Sequence, residues 1–331
     1  MDVIDKIGIK KLKKDLISQG IVLVICGPTA TGKTQVALNL ANLMDTDVIS
    51  FDSMQLYRGL DIGTDKYKKG DFPTVRQYMV DIFDPSDEVT VMDFRNICRK
   101  QIDAFLLSKR IPILAGGSGL YLRSVIDNLD FVEDATGYNS RQREKIKKDI
   151  TIKGIQVVYQ KLKEIDPEYA KKISVNDEKR IIRALEVYYT TGKKFSSFHM
   201  DIKKRAAIYK LILIGLTADR DYLYRKIEKR VDSMIESGLI DEVITLKDKG
   251  FDRYNSMKQA VGYKEILKYL YGKSNSLDET ISLIKRNTRR LAKKQLTWFK
   301  EDKRINWIRA DEYDNILDLV KAIIEIIRSK V

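Results

Sequence analysis

The sequence predicts an α/β fold in which helices flank a parallel sheet, with an all-helical insertion in the middle of the chain. A glycine-rich stretch at residues 27–34 joins an apolar run to a helical pattern at residues 34–44. Residues 131–198 have a helical pattern, rich in Lys and Arg, without a strand signal. Apolar runs alternate with helical stretches, as buried parallel strands do, at residues 21–25, 47–51, 111–115 and 210–216.

The remaining segments also have patterns that predict helices or strands. The Lys-rich residues 1–20 can form an amphipathic helix, and a shorter apolar run at residues 78–83 is a further candidate strand. Residues 221–331 are mostly helical in pattern. The insertion is expected to hold three helices, at residues 141–163, 167–171 and 177–191. We therefore expect an N-terminal extension, a two-part α/β core and a helical insertion, at residues 1–20, 21–130 with 199–331, and 131–198.

The composition is that of a globular protein with an anionic partner. Of 331 residues, 44% are hydrophobic and 33% are charged, and the formal net charge is +14. No apolar stretch approaches the roughly 20 residues of a membrane span. Such a positive charge favours nucleic acid as a partner, although a Lys-rich proteome would give the same composition. Cys26, Cys98 and the single His199 are too few for a disulfide framework or for a cysteine- or histidine-based metal site.

Residues 27–34 read GPTATGKT and fit the phosphate-loop pattern G-x-x-x-x-G-K-[ST]. Between a strand and a helix, the N–H groups of such a loop turn towards phosphate oxygens, and the helix N-terminus adds its positive end. Lys33 would reach the terminal phosphate oxygens, and the Thr34 hydroxyl would bind Mg²⁺. The predicted core is therefore phosphate-loop NTPase-like. The motif does not distinguish nucleotide hydrolysis, phosphoryl transfer and release of a diphosphate.

Polar residues follow the other predicted strands where α/β sheets place ligands. Asp52 could be a general base, a helix N-cap or a water-mediated Mg²⁺ contact. The third strand leads into Ser118 and glycines, without the Mg²⁺-holding Asp of nucleotide hydrolases. The Ser118 hydroxyl could contact phosphate or metal, or the segment could be only a tight turn. Arg220 could pair with phosphate, whereas Arg230 on the same helix is interpreted as a solvated charge.

Two basic segments suit contacts with a nucleic-acid backbone. Lys179, Arg180 and Arg183 lie near one face of a predicted helix, and residues 285–300 mix basic side chains with Trp298 and Phe299. We expect the two aromatic side chains to pack in the core and some of the basic ones to contact nucleic acid. The alternative for both segments is an amphipathic helix with a solvated charged face.

Together these segments resemble the bacterial tRNA dimethylallyltransferases, also called tRNA isopentenyltransferases. The resemblance implies transfer of a dimethylallyl group from dimethylallyl diphosphate to the N6 amine of the adenosine immediately 3′ of the anticodon. It also implies Mg²⁺ as cofactor and the tRNA anticodon stem-loop as partner. Residues 1–20 lack the apolar core of a signal peptide, so we expect a cytoplasmic protein without membrane contact, and we expect a monomer. The matching segments occur in the family's order, at residues 27–34, 52–64, 116–121, 176–186, 259–263 and 287–299.

The resemblance also implies roles for single residues. Asp52 would accept the amine proton, and Ser118, which stands where the family usually has Thr, would keep the role of that hydroxyl. Thr34 would be the metal ligand. The diphosphate would be bound by Gly27, Thr29, Ala30, Thr31, Gly32, Lys33, Thr34 and Arg220. The tRNA would be bound by Asp52, Ser53, Met54, Gln55, Ser118, Arg123, Lys179, Arg180, Ile181, Ile182, Arg183, Lys258, Gln259, Ala260, Val261, Gly262 and Tyr263.

Three other functions compete with this interpretation. A small-molecule kinase would explain the phosphate loop and Asp52, but neither the net charge nor the basic helices. An isopentenyltransferase acting on free adenine nucleotide would not need the basic segments. A non-catalytic tRNA-binding protein would not need Lys33, Thr34 and Asp52 together.

Overall fold

The computed structural model describes residues 6–67, 70, 72–128, 140–198, 206–274 and 276–331. The chain divides into two compact units, one made of residues up to 126 together with 209–331, and the other of residues 127–208. His199 lies outside the described residues. Within the described part of the chain, no helix is long and apolar enough to span a membrane.

A parallel sheet forms the centre of the larger unit. Its described strands run in the order β3-β2-β4-β1-β5-β6. All of their pairings are parallel. The strands are β1 (Ile21–Cys26), β2 (Val48–Ser50), β3 (Gln77–Tyr78), β4 (Ile113–Gly116), β5 (Lys210–Thr217) and β6 (Ile305–Arg309). Because β1 lies between β4 and β5 and is buried on both faces, its residues are apolar throughout.

Helices cover both faces of this sheet. The predicted N-terminal helix is confirmed as α1 (Lys6–Gln19), which buries Ile9, Leu12 and Leu16. The other helices of this unit are α2 (Lys33–Leu43), α3 (Val91–Leu107), α4 (Gly119–Ile126), α9 (Arg220–Glu236), α10 (Leu239–Asp248), α11 (Asn255–Gln259), α12 (Tyr263–Leu270), α13 (Leu277–Lys300) and α14 (Ile316–Arg328). The α/β fold with a parallel sheet is confirmed.

The smaller unit is helical in its described part. Its helices are α5 (Ser140–Lys153), α6 (Ile155–Ile165), α7 (Pro167–Ala170) and α8 (Glu178–Thr191). They surround their own apolar core, which includes Val158, Leu162, Ile181 and Leu185.

Three predicted elements need correction. The single helix expected at residues 141–163 is broken at Gly154, which has a φ of 83° that favours glycine. The candidate strand at residues 78–83 is reduced to the two residues of β3. The C-terminal region, predicted as mostly helical, also contains β6, a strand at one edge of the sheet.

Candidate active site

The phosphate loop runs from the end of β1 to the start of α2 at the carboxyl ends of the parallel strands. Gly27 has a φ of 136°, and a Cβ there would lie 2.2 Å from the Leu216 carbonyl oxygen of β5. Only glycine therefore fits between the loop and the neighbouring strand. Gly32 precedes α2 with a φ of 85°. The first N–H groups of α2 have no intrahelical partners, which leaves them available to an anion.

Lys33 folds back inside this loop. Its Nζ donates a hydrogen bond to the Pro28 carbonyl oxygen at 2.5 Å. Burial, together with the Arg230 guanidinium, lowers the pKa of Lys33 to about 8, and the Asp52 carboxylate opposes this shift. A diphosphate bound here would supply negative charge that favours the protonated form of Lys33.

Asp52 follows β2 and is held by a chain of hydrogen bonds. Its carboxylate accepts from the Met54 N–H at 2.9 Å, and its own N–H donates to Ser50 Oγ at 3.3 Å. Ser50 Oγ in turn donates to the Gln55 amide oxygen at 2.8 Å. The Gln55 amide nitrogen donates to the Thr64 carbonyl oxygen at 3.1 Å. The carboxylate position is therefore fixed by the turn that follows β2.

Ser118 connects the turn after β4 to the turn after β2. Its Oγ accepts a hydrogen bond from the Ser53 N–H at 3.2 Å and lies 3.4 Å from Ser53 Oγ. The hydroxyl is thus next to the segment that carries Asp52. Its catalytic role stays a prediction.

A cavity of about 130 Å³ brings the predicted chemical groups together. Thr29, Lys33 and Thr34 line it from the phosphate loop, and Asp52 lines it from the turn after β2. The rest of the wall includes apolar side chains from four segments of the larger unit, namely Met54, Val231, Met234, Val261, Ile284 and Leu291. One end of the cavity therefore suits phosphate and the other suits a small apolar group, with a carboxylate in the same wall.

A second, larger cavity of about 620 Å³ adjoins the phosphate loop. It shares four lining residues with the first cavity, namely Lys33, Thr34, Asp65 and Arg230. An anion held by the loop would therefore be accessible from both cavities.

Arg230 contacts the phosphate loop, which corrects its interpretation as a solvated helix charge. Its Nη1 donates to Thr29 Oγ1 at 3.0 Å and lies 3.2 Å from the Asp65 carboxylate. Arg220, at the start of the same helix, is exposed and stacks its guanidinium over the Tyr224 ring at 5.1 Å. A role of Arg220 at the diphosphate stays a prediction, whereas Arg230 is already at the loop.

The predicted tRNA-binding residues of the larger unit differ in exposure. Lys258 and Gln259 are exposed, and Val261 lines the first cavity. The side chains of Gln55, Arg123, Ala260 and Tyr263 are buried. Gln55 and Ala260 also line the first cavity. The role of all four residues in binding tRNA stays a prediction.

In the helical unit, Lys179 and Arg180 are exposed on the first turn of α8. The side chains of Ile181 and Ile182 belong to the apolar core, and their contact with tRNA stays a prediction. Arg183 donates to the buried Glu186 carboxylate at 3.2 Å. The basic face of this helix thus consists mainly of its first two cations.

Thr34 is the candidate metal ligand among the described residues. Its side chain lines both cavities beside Lys33, as the hydroxyl of a phosphate loop does when it binds Mg²⁺. The described residues contain no cluster of three or more His, Cys, Asp or Glu side chains that could bind a metal by themselves. A Mg²⁺ ion here would therefore depend on phosphate oxygens from the ligand.

Comparisons with known proteins agree on one family. The family model described as IPP transferase matches residues 55–302. A relative from Acetivibrio thermocellus, named tRNA dimethylallyltransferase, is 43% identical over 91% of this chain and 95% of its own length. The crystal structure of the full-length tRNA isopentenylpyrophosphate transferase from Bacillus halodurans has a TM-score of 0.67 and 38% identity, covering 93% of this chain and 97% of that one. A structure of a eukaryotic dimethylallyltransferase acting on tRNA has a TM-score of 0.73 and 27% identity, covering 88% of this chain and 74% of that one.

Proposed function

This chain belongs to the IPP transferase family, and we propose that it transfers a dimethylallyl group from dimethylallyl diphosphate to tRNA. The acceptor is the N6 amine of the adenosine immediately 3′ of the anticodon, and the product is N6-dimethylallyladenosine. The observation that carries the proposal is the first cavity, in which a phosphate loop, a carboxylate and an apolar wall face the same space.

The donor is bound through its diphosphate. The N–H groups at the start of α2 and the Lys33 ammonium contact its oxygens, and Arg230 adds a second cation beside Thr29. Thr34 and the diphosphate oxygens together would hold Mg²⁺, which would neutralise charge on the departing diphosphate. The dimethylallyl group extends along the apolar wall formed by residues such as Met234 and Ile284.

Transfer breaks the allylic C–O bond and forms a C–N bond to the adenine. The allylic carbon tolerates the positive charge that develops as the diphosphate departs, and the cations at the loop stabilise that leaving group. Adenine N6 is a poor nucleophile, so Asp52 accepts its proton as the new bond forms. The diphosphate leaves with the bonding electron pair, and the products are modified tRNA, diphosphate and a proton.

The acceptor adenine must leave its stack to reach this cavity, at a cost of a few kcal/mol. Contacts to the tRNA backbone offset this cost, and the exposed Lys179, Arg180, Lys258 and Gln259 are the side chains we assign to them. We place the enzyme with its tRNA in the cytoplasm and expect it to act as a monomer.

One labelling experiment tests the proposal against its alternatives. The protein is incubated with Mg²⁺ and labelled dimethylallyl diphosphate, together with either unmodified tRNA or AMP. We expect label in tRNA, at the adenosine next to the anticodon, and none in AMP. Label only in AMP would indicate an enzyme of free nucleotides, and no label with either acceptor would refute the proposal.

A parallel incubation with ATP, but without the prenyl donor, addresses the kinase alternative. We expect no appreciable ATP turnover in the presence of tRNA, because the turn after β4 offers Gly117 and Ser118 where a nucleotide hydrolase has a metal-binding Asp. Robust turnover would favour a kinase.

A further inference from the structure

Asp65 places a carboxylate beside both cavities at the phosphate loop. Three other residues also line both cavities, namely Lys33, Thr34 and Arg230. In contrast, Asp52 lines only the first cavity and Asp314 only the second. Among the described carboxylates that line either cavity, Asp65 is therefore the one that both cavities share, next to the loop that would bind a diphosphate.

The position of Asp65 is fixed by its surroundings. Its N–H donates to the Ile62 carbonyl oxygen at 3.0 Å, and its own carbonyl oxygen accepts from the Gln55 amide nitrogen at 3.4 Å. Its carboxylate lies 3.2 Å from Arg230 Nη1, which also donates to Thr29 Oγ1. The Asp65 side chain is still 60% exposed, so its carboxylate is accessible to an ion in the cavities.

A carboxylate at this point is unfavourable for a bound diphosphate unless a cation lies between them. Lys33 and Arg230 attract the diphosphate, whereas the Asp65 charge repels it and competes with it for Arg230. The Asp65 charge also reaches Lys33, since burial lowers the pKa of that lysine and Asp65 is among the anions that oppose the shift. A divalent cation on the diphosphate would turn this repulsion into attraction.

The oxygen ligands beside the loop suit Mg²⁺. In proteins this ion is usually bound by one or two carboxylates together with phosphate oxygens of the ligand and water. The Thr34 hydroxyl and the Asp65 carboxylate line the same two cavities and are oxygen ligands of this kind. The hydroxyl is a neutral ligand, so Asp65 is the side chain of this pair that can balance charge on the ion.

We propose that Asp65 is a ligand, directly or through a bound water, of the Mg²⁺ ion that accompanies the diphosphate, and that it makes binding of the diphosphate depend on this ion. The assignment rests on the proposed function, in which residues 27–34 bind the diphosphate of the prenyl donor and Thr34 binds the metal. The alternative is that Asp65 only holds Arg230 beside Thr29.

The test measures the affinity of the full chain for inorganic pyrophosphate by calorimetry, in EDTA and in Mg²⁺. We expect Mg²⁺ to increase the affinity of the wild-type protein. Asp65→Asn should reduce this increase by about tenfold or more, a loss that is usual when a partner at a metal site is removed. The variant should bind metal-free pyrophosphate at least as tightly as wild type, because the repelling charge is gone. Asn tolerates the φ of 54° at this position and can still accept a hydrogen bond from Arg230.

Asp65→Gly separates the proposal from its alternative. Glycine also tolerates the positive φ, but it removes the contact with Arg230. If Asp65 is a metal ligand, the Gly and Asn variants should both lose most of the effect of Mg²⁺. If Asp65 only holds Arg230, the Gly variant should bind pyrophosphate more weakly by the same factor with and without Mg²⁺, and the Asn variant should resemble wild type.

Asp314→Asn is the matched control, because it removes the same charge from a residue that lines the second cavity only. It should leave the effect of Mg²⁺ unchanged. Mn²⁺ in place of Mg²⁺ gives a direct measurement, since its EPR signal reports the affinity of the protein for the ion in the presence of one equivalent of pyrophosphate. Asp65→Asn should weaken Mn²⁺ binding by about tenfold or more, and Asp314→Asn should not. Thermal unfolding of each variant verifies that it is folded.

Several results would overturn the assignment. These are a wild-type protein that binds pyrophosphate equally well with and without Mg²⁺, an Asp65→Asn variant with an unchanged effect of Mg²⁺, or an equal loss in Asp314→Asn. A different failure identifies the proposed function as wrong. A protein whose pyrophosphate binding depends on Mg²⁺ and Asp65, yet which does not prenylate tRNA, would refute the transferase activity and leave the role of Asp65 intact.

Discussion

Asp52 is the residue on which the proposed chemistry depends most directly. Its carboxylate lines the same cavity as Lys33 and is fixed by the Met54 N–H. We expect Asp52→Ala to lower the single-turnover rate of prenyl transfer by about 10²–10⁴-fold, as is usual when a general base is removed. The affinity for tRNA should stay within several-fold, because we assign the contacts to the tRNA backbone to other, exposed side chains.

Asp52→Asn is the matched variant, since the side chain keeps its shape and can still accept the Met54 hydrogen bond. It should be as slow as Asp52→Ala if proton transfer is the role of the carboxylate. A rate loss below about tenfold in either variant would contradict the assignment of Asp52 as the base.

The buried environment of Lys33 predicts a pH dependence of stability in the ligand-free protein. Burial lowers its pKa to about 8 in the folded chain, whereas the ordinary value of 10.5 applies in the unfolded chain. Between these values the unfolded state binds more protons than the folded state, so the contribution of Lys33 to stability rises with pH. Thermal unfolding in EDTA should therefore show wild type gaining stability relative to Lys33→Met from pH 8 to pH 10. A constant difference between the two proteins would contradict this prediction.

The roles of some single residues could be predicted from the sequence, and those of others could not. Lys33, Thr34 and Asp52 were found because a loop motif and a strand end fix their positions. The sequence led us to assign Arg220 to phosphate and Arg230 to solvent, but both lie at helical spacing from the buried Leu223 and Ile227, so the pattern gave no sound basis for that choice. They are about 15 Å apart along the helix, at 1.5 Å per residue. Which of them reaches the loop depends on how α9 crosses the sheet, which is a property of tertiary packing.

Among the secondary-structure elements, the sequence predicts best the strands that are buried on both faces of the sheet. The strands β1, β2, β4 and β5 were recognisable as apolar runs, because they lie inside the sheet. The edge strand β6 contains Asn306 and Arg309, and its neighbours are helical, so its pattern was not recognised. The short β3 has the same edge position and only two residues.

The hydrogen bonds that join α10 and α12 to the segment after β2 lead to a prediction about the free energy of unfolding. The Glu242 carboxylate of α10 accepts from the Ile62 N–H at 2.9 Å, and Tyr263 donates its hydroxyl proton to the same carboxylate at 2.5 Å. Burial and the neighbouring Glu242 charge raise the pKa of Tyr263 far above its ordinary value, so the hydroxyl stays protonated and keeps donating. Tyr263→Phe removes this hydrogen bond from a charged group.

We expect Tyr263→Phe to lower the free energy of unfolding by about 1.5–3 kcal/mol, the usual contribution of a hydrogen bond to a charged group. Urea unfolding provides the measurement. Tyr271→Phe is the control, because its hydroxyl bonds to Asp252 at an exposed position, and it should change stability by less than about 0.5 kcal/mol. Equal effects of the two substitutions would show that the contact between Tyr263 and Glu242 has no special role.

In the whole molecule, we assign different parts of the proposed function to the two units. The larger unit holds the phosphate loop, Asp52 and the apolar wall, so it contains the groups for prenyl transfer. The described residues of the helical unit include none that line the two cavities, and they carry exposed cations at the start of α8. A net charge of +14 suits a tRNA partner whose backbone is bound by both units. The sequence could suggest this division, but it could not show which of the basic side chains are exposed.

The last prediction concerns those exposed cations. Lys179 and Arg180 are exposed, whereas Arg183 is tied to Glu186, whose side chain is only 1% exposed. Replacing Arg183 would remove one hydrogen bond from that buried carboxylate, so its effect on tRNA binding would be mixed with a loss of stability. The informative variant is therefore Lys179→Ala with Arg180→Ala. If both side chains contact tRNA phosphates, it should reduce the slope of log affinity against log salt by about 1.4–1.8, at about 0.7–0.9 for each contact.

Binding isotherms of unmodified tRNA at several salt concentrations measure that slope. Saturation by dimethylallyl diphosphate should not change, because the proposed donor site is in the larger unit. Lys171→Ala with Lys172→Ala removes the same charge from another exposed part of the helical unit. An equal change in slope for this control would mean that the unit attracts tRNA through its total charge. An unchanged slope and affinity for the Lys179 and Arg180 variant would exclude these two side chains from the tRNA interface. A change confined to that variant would place phosphate contacts at the start of α8, as the exposure of its first turn leads us to expect.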